Sequence, residues 1–307
     1  MSSTTSETSL LSIERNEFEL FRTLVHRHTG IWLRDGKQVM LASRLTGRMR
    51  LHGMTDFADY YAYVTRHCGD GKELGALINC VTTNKTSFFR ENHHFEFLSD
   101  VVVPEIVGST RLPAAANDGS TAARLPANKS ISIWSAACST GEEPYSIAMA
   151  LLESQSKLGV FRGAGDIRIV ASDIDTKVLN KALRGIYSEH ELESVEPVLQ
   201  KKYFLRGKDE MSGQIKVKKQ VASLVEFQRI NLMDRSWQLD TAFDAIFFRN
   251  ALIYFQQDTQ DLFLRRMVRY LRPGGYLFLG HSEHIPWLHH ILEPLQKTIY
   301  RLRVTEA

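Results

Sequence analysis

From Glu14 to about Leu98, apolar residues recur three and four positions apart: Phe18, Phe21, Leu24 and Val25, then Phe57, Tyr60, Tyr61 and Val64. This is the period of helices that turn one face to a core. It predicts an all-α N-terminal domain over residues 1–90, with the Ser- and Thr-rich stretch 1–12 disordered. Residues 91–130 read as a connecting helix and a linker, because Ser109 to Ser130 holds small residues, Pro, Asn and Gly without periodicity. Over residues 131–307 short apolar strands alternate with amphipathic helices, the signature of an α/β domain with a mainly parallel sheet. Strands are expected at Ile131–Ser135, Ile167–Ser172, Leu224–Gln228, Phe243–Phe248, Tyr276–Leu279 and Thr298–Arg303. Helices are expected at Pro144–Ser154, Thr176–Arg184 and Asp258–Leu271, with a turn at Pro273-Gly274-Gly275. The stretch at about 185–221 fits no βαβ crossover, and its Gly207 and Gly213 beside alternating Ile215 and Val217 predict a small inserted β-subdomain.

Composition adds the class but little chemistry. With 43% hydrophobic and 24% charged residues the chain is that of a soluble globular protein. A net charge of +3 leaves any attraction to acidic partners to local patches. Cys68, Cys80 and Cys138 lie in separate contexts and suggest neither a disulfide framework nor a zinc site, which fits a reducing cytoplasm. No signal peptide and no membrane-length apolar run is evident. The histidines His281, His284, His289 and His290 lack metalloprotease spacing, so no metal site is expected.

The loop after the first predicted strand, Ala137-Cys138-Ser139-Thr140-Gly141-Glu142-Glu143-Pro144-Tyr145, lies where open α/β sheets hold a cofactor. It lacks the dinucleotide glycine fingerprint and places Glu142 and Glu143 in the first turn of the next helix. Two carboxylates there repel a pyrophosphate and suit a phosphate-free cation, which describes S-adenosylmethionine. A capping box of Thr140 with Glu143 is the plainer alternative. Asp173 ends the second strand, where an acidic side chain can accept both ribose hydroxyls. Asn231 after the third strand offers an amide whose donor and acceptor match an adenine edge.

Six collinear blocks then resemble one family, the CheR-type chemotaxis receptor methyltransferases, which are protein-glutamate O-methyltransferases. They are Thr83 to Glu91 (TNKTSFFRE), Trp134 to Ser146, Ala171 to Asp175, Phe243 to Asn250 (FDAIFFRN), Ile253-Tyr254-Phe255 and Gly280-His281-Ser282-Glu283. The resemblance implies a Rossmann-like S-adenosylmethionine-dependent methyltransferase domain with a small inserted antiparallel β-subdomain, preceded by an all-α N-terminal domain. It implies that Asn84, Thr86 and Arg90 approach the cofactor from the interdomain segment. Glu143 and Asp173 would hold its methionine and ribose parts, and Asn231-Leu232 and Arg249-Asn250 would complete the pocket. Arg90 and Tyr254 would also face the acceptor as catalytic orienters. Cys138 and Phe248 stand at positions within the motifs where variation is expected, and the linker is long for the family.

The acceptor implied is a glutamate in the cytoplasmic helical region of chemoreceptors, and a receptor C-terminal peptide could add to the β-subdomain. Lys37, Arg44 and Arg48 project within roughly 40° of one another at helical spacing, and such a basic face suits acidic receptor helices. A monomer is expected, with no nucleic-acid partner and no membrane insertion. A nucleic-acid methyltransferase is disfavoured because Arg249-Asn250 replaces the Asn/Asp-Pro-Pro-aromatic motif that stacks a flipped base. A small-molecule carboxyl methyltransferase would need no basic helical domain. A module that only binds the cofactor would not need Arg90 and Tyr254.

Overall fold

The structure, a computed structural model, describes residues 11–67, 71–108, 130–161, 163, 165–239 and 241–304. Nearly all of the predicted linker, most of the N-terminal Ser/Thr stretch and Cys68 lie outside these residues. Four helices form the N-terminal unit: α1 (Arg15–Thr29), α2 (Gln38–Leu51), α3 (Phe57–Arg66) and α4 (Lys72–Val81). Their boundaries follow from local chemistry. Glu14 and Glu17 form a reciprocal capping box at the start of α1, and Gly30 ends it in the left-handed region. Asp56 accepts the Ala58 and Asp59 N–H groups to start α3. The apolar stripes meet in a core of Phe18, Phe21, Leu45, Tyr60 and Leu77.

The next short helices, α5 (His93–Phe97) and α6 (Val103–Ile106), are joined by one π-helical turn at Leu98–Val102. Although the sequence suggests a connector here, Phe88, Phe95, Leu98 and Val103 are buried in the core of the α/β unit. That unit contains β1 (Ile131–Ala136), α7 (Glu142–Leu158), β2 (Ile167–Asp173) and α8 (Thr176–Arg184). The three-stranded insertion follows, with β3 (Ile186–Ser188), α9 (Pro197–Tyr203), β4 (Phe204–Arg206) and β5 (Gln214–Val217). The chain then runs through α10 (Lys219–Ala222), β6 (Val225–Arg229), β7 (Phe243–Phe248), α11 (Gln257–Val268), β8 (Leu271–Leu279), β9 (Leu292–Gln296) and β10 (Ile299–Leu302).

The large sheet has the order β6-β2-β1-β7-β8-β10-β9. Its first five strands are parallel; β10 pairs antiparallel with β8, and β9 antiparallel with β10. Strands β1 and β7 are buried along their whole length, as a sheet covered on both faces requires. After β1 the chain builds outward through β2 and β6, then returns to place β7 on the other side of β1. A ligand crevice is expected at that reversal, beyond the carboxyl ends of these strands. The small sheet, β3-β5-β4, is antiparallel. Tyr187 on β3 donates to the Thr140 carbonyl at 2.7 Å and so ties this insertion to the loop after β1.

Two strands depart from the sequence reading. Pro273-Gly274-Gly275 is not a turn before a strand but an irregularity inside β8, whose register with β7 shifts between Phe243 and Ala245. Strand β9 has no counterpart in the sequence pattern. It carries Pro294 on a mostly exposed edge, where neither alternation nor a ladder on both sides is required. No helix of the described residues is long and apolar enough to cross a membrane.

Candidate active site

A cavity of about 500 Å³ opens at the carboxyl ends of β1, β2 and β7 and is roofed by the N-terminal unit. The roof is held by backbone contacts. Ile31 bridges Phe255 in antiparallel fashion, and the Trp32 N–H donates to the Tyr254 carbonyl at 2.8 Å. Gly30 makes the docking possible: it has φ +74, and a Cβ there would meet Thr259, Met233 and Phe263 at 3.0 to 3.2 Å.

All the expected cofactor residues line this cavity: Asn84, Thr86, Arg90, Glu143, Asp173, Asn231, Leu232, Arg249 and Asn250. Tyr254 and Lys37 line it as well. Glu143 enters from the first turn of α7. Its Oε1 accepts the Ser135 hydroxyl at 2.7 Å and its Oε2 accepts Arg249 Nη1 at 3.0 Å. Burial raises its carboxyl above the usual range, while Arg249 works the other way. Asp173 ends β2; its Oδ2 accepts the Ser139 N–H and its Oδ1 the Asp175 N–H, each at 2.9 Å. Burial pushes its carboxyl up to about 6 in spite of those donors.

Strained backbone collects here. Phe89, Glu91, Ala137, Ser139 and Asn250 all have positive φ between 50° and 58°, a conformation that costs a non-glycine residue about 1 kcal/mol or more. Asn250 is fixed by two carboxylates. Its N–H donates to Glu283 Oε2 at 2.8 Å and its Nδ2 to Glu91 Oε1 at 3.2 Å. Gly280 leaves room for this arrangement, since a Cβ there would lie 2.3 Å from Asn250 Nδ2.

Several of the expected site residues also have partners within the protein. Of the two carboxylates at α7, only Glu143 faces the cavity; Glu142 is buried beside it and accepts the Thr140 hydroxyl at 2.9 Å. No capping box forms, because the N-cap is Gly141 and Glu143 is bound to Ser135 and Arg249. The side chain of Asn84 is held by Asp175 at 2.9 Å, and that of Asn231 donates to the His28 carbonyl at 2.7 Å. Arg90 Nη1 is tethered to the Lys85 carbonyl at 2.9 Å.

The basic face expected from Lys37, Arg44 and Arg48 does not stand free. Arg44 Nη1 donates to the carbonyls of Val81 and Thr82 at 2.9 and 2.8 Å, closing the C-terminus of α4. Arg48 forks onto Glu73, with Nε 2.8 Å from Oε1. Glu73 is buried and also accepts the Tyr60 hydroxyl. Helical spacing gave the common direction of these side chains; it carried no information about the carbonyls and carboxylate waiting on α4. Glu91 and Glu283 also organise the site; both lie in the sequence blocks, where spacing alone assigns them no role.

A phosphate-free cation fits this cavity. Two carboxylates face it, Asp173 buried and Glu143 largely so, and Ile174, Ile230 and Leu232 supply apolar wall for a nucleobase. Fold and site together define a Rossmann-like S-adenosylmethionine-dependent methyltransferase. Residues 84–301 match the family described as CheR methyltransferase, SAM binding domain, and residues 16–82 match CheR methyltransferase, all-alpha domain. The chain belongs to the CheR methyltransferase family. It is 40% identical to the chemotaxis protein methyltransferase 2 of Pseudomonas aeruginosa, over 93% of this chain and 92% of that protein. It is 39% identical to the chemotaxis protein methyltransferase of Escherichia coli, over 96% of this chain and 93% of that protein.

Proposed function

We propose that this enzyme methylates glutamate side chains of chemoreceptors in the cytoplasm, producing glutamate 5-O-methyl esters and S-adenosylhomocysteine. The observation that carries this reading is one cavity shared by two carboxylates suited to a cationic donor and by Arg90, Lys37 and Tyr254 suited to an anionic acceptor. When bound, S-adenosylmethionine supplies an electrophilic methyl group on a sulfonium. Glu143 would take the ammonium of its amino-acid end and Asp173 the ribose hydroxyls, with Asn231 and Leu232 beside the base. A glutamate acceptor is ionised at neutral pH and needs no general base, so the task of the protein is positioning and exclusion of water.

Arg90 orients the acceptor carboxylate while its own guanidinium is steadied by Lys85. Tyr254 donates to the same carboxylate; its backbone carbonyl is already committed to Trp32, which fixes the loop without using the hydroxyl. Receptor recognition at the mouth rests first on Lys37, because Arg44 Nη1 and Arg48 Nε already have partners inside the helical unit. A peptide strand added to the small sheet would raise the local concentration of a tethered receptor. Radiolabel transfer from the cofactor to receptors, nucleic acid and small acids in parallel tests the reading. Base-labile label on receptors alone is expected, and label on either of the others would replace it.

A further inference from the structure

We propose that Glu91 is a positioning residue for the amino-acid end of the cofactor, holding Arg249 and Asn250 in place so that Glu143 keeps charge to spare for an ammonium. The inference rests on the reading of the cavity as an S-adenosylmethionine site. Glu91 does not line the cavity, yet it is the junction of three segments. Its Oε2 accepts Arg249 Nη2 at 3.2 Å and the His281 N–H at 3.1 Å, and its Oε1 accepts Asn250 Nδ2 at 3.2 Å. It thereby joins the segment bearing Arg90 to the loops that follow β7 and β8. A backbone at φ +57 is maintained to put it there.

Charge gives the junction its consequence. The Arg249 side chain is 1% exposed and cannot turn to water. Its Nη1 meets Glu143 at 3.0 Å while its Nη2 meets Glu91 and the Arg90 carbonyl. One guanidinium is therefore shared by two carboxylates, and the triad carries one surplus negative charge. Without the charge of Glu91, Arg249 would be neutralised by Glu143 alone, and the pull of that carboxylate on a cation would weaken. Glutamine cannot replace the residue. The oxygen that accepts both Arg249 and His281 would become an amide NH2 facing two donors, or the flipped amide would face Asn250 Nδ2 instead. None of these partners belongs to the Asp173 side of the cavity, so the effect should be confined to one end of the ligand.

Calorimetric titration of the full chain with S-adenosylhomocysteine and with 5′-methylthioadenosine, which lacks the amino-acid end, tests this. Glu91→Gln should weaken the first by about tenfold or more and the second by less than about twofold. Glu91→Asp keeps the charge but reaches less far; it should lose about threefold for S-adenosylhomocysteine alone. Unchanged binding of S-adenosylhomocysteine by Glu91→Gln, or an equal loss for both ligands, would overturn the proposal. Should the glutamine variant fail to fold, the aspartate variant decides by the same comparison. If the wild-type chain binds neither nucleoside, the cofactor reading itself falls; if it binds both and the variants do not discriminate, only the role of Glu91 does.

Discussion

The carboxylate of Asp175 lies 2.9 Å from Asn84 Nδ2 and joins the interdomain segment to the α/β unit. The same oxygen accepts the Thr82 hydroxyl at 2.7 Å, and Oδ1 accepts the Lys177 N–H at 2.8 Å as the N-cap of α8. Its backbone N–H meanwhile donates to Asp173. One buried side chain thus starts a helix, anchors a domain junction and adjoins a cofactor carboxylate.

Replacing Asp175 with Ala should cost about 2 kcal/mol, roughly one for the lost cap and one for the lost junction. Urea denaturation of Asp175→Ala, Asn84→Ala and the double variant measures both parts. The two substitutions should be non-additive by about 1 kcal/mol; strict additivity would show that Asn84 draws nothing from this contact.

Asp173 gives the site a pH dependence of defined sign. Ribose hydroxyls need its ionised form as acceptor, and burial holds its carboxyl at about 6. Affinity for S-adenosylhomocysteine should fall as pH drops through about 6, approaching tenfold per further unit. Apoprotein stability moves the other way. The folded chain binds this proton more tightly than the unfolded chain, so the contribution of Asp173 is full below about 4 and is lost as pH rises through about 6. Calorimetry at a series of pH values should show the binding slope in the wild type and most of it gone in Asp173→Asn.

The Arg48–Glu73 pair predicts an effect on stability where the sequence suggested one on recognition. Burial works to raise the Glu73 carboxyl, but hydrogen bonds from Arg48 and Tyr60 and the charges of Arg48 and His52 hold it down at about 2. A depressed carboxylate contributes stability that is present above its unfolded value, near 4.5, and is lost as pH falls toward 2. Arg48→Ala strands Glu73 and should destabilise the chain by about 2 to 3 kcal/mol. Thermal melts at neutral pH should show the loss, while Arg50→Ala on the exposed side of the same helix should leave the melting temperature within a degree or two.

Arg90 and Tyr254 should affect the chemical step unequally. Arg90→Ala removes a fork at the acceptor and should lower the single-turnover methylation rate by about ten- to a hundredfold at saturating cofactor and receptor. Tyr254→Phe retains the backbone bond to Trp32 and should lose about tenfold or less. An unchanged rate in Arg90→Ala would remove it from the acceptor side.

How much of this was legible in the sequence depends on whether a feature is set by neighbours along the chain or by partners far from it. Helix α8 and strand β7 match their expected limits because period, cap and flanking glycine or polar residues act locally. The cavity residues were found through motifs, and the structure gathers them in one place. Edge strand β9 and the irregularity in β8 left no pattern, since an exposed edge and a register shift relax the alternation a strand otherwise shows. The inward commitment of Arg44 and Arg48 was hidden for another reason: helical spacing gives the direction of a side chain, but the carbonyls of Val81 and Thr82 and the carboxylate of Glu73 come from a separate helix. Glu142 and Glu143 are adjacent in sequence, and only the packing of α7 distinguishes the one beneath the loop from the one in the cavity.

The acceptor proposed here is a glutamate carboxylate of a chemoreceptor. Mass spectrometry of receptor peptides after incubation with the enzyme and isotopically labelled S-adenosylmethionine tests it most directly. Label is expected on glutamate side chains of the receptor helical region, released as methanol by mild base and strongly reduced with Arg90→Ala. Base-stable label on nitrogen, or no receptor label while S-adenosylhomocysteine accumulates with another acceptor, would contradict it.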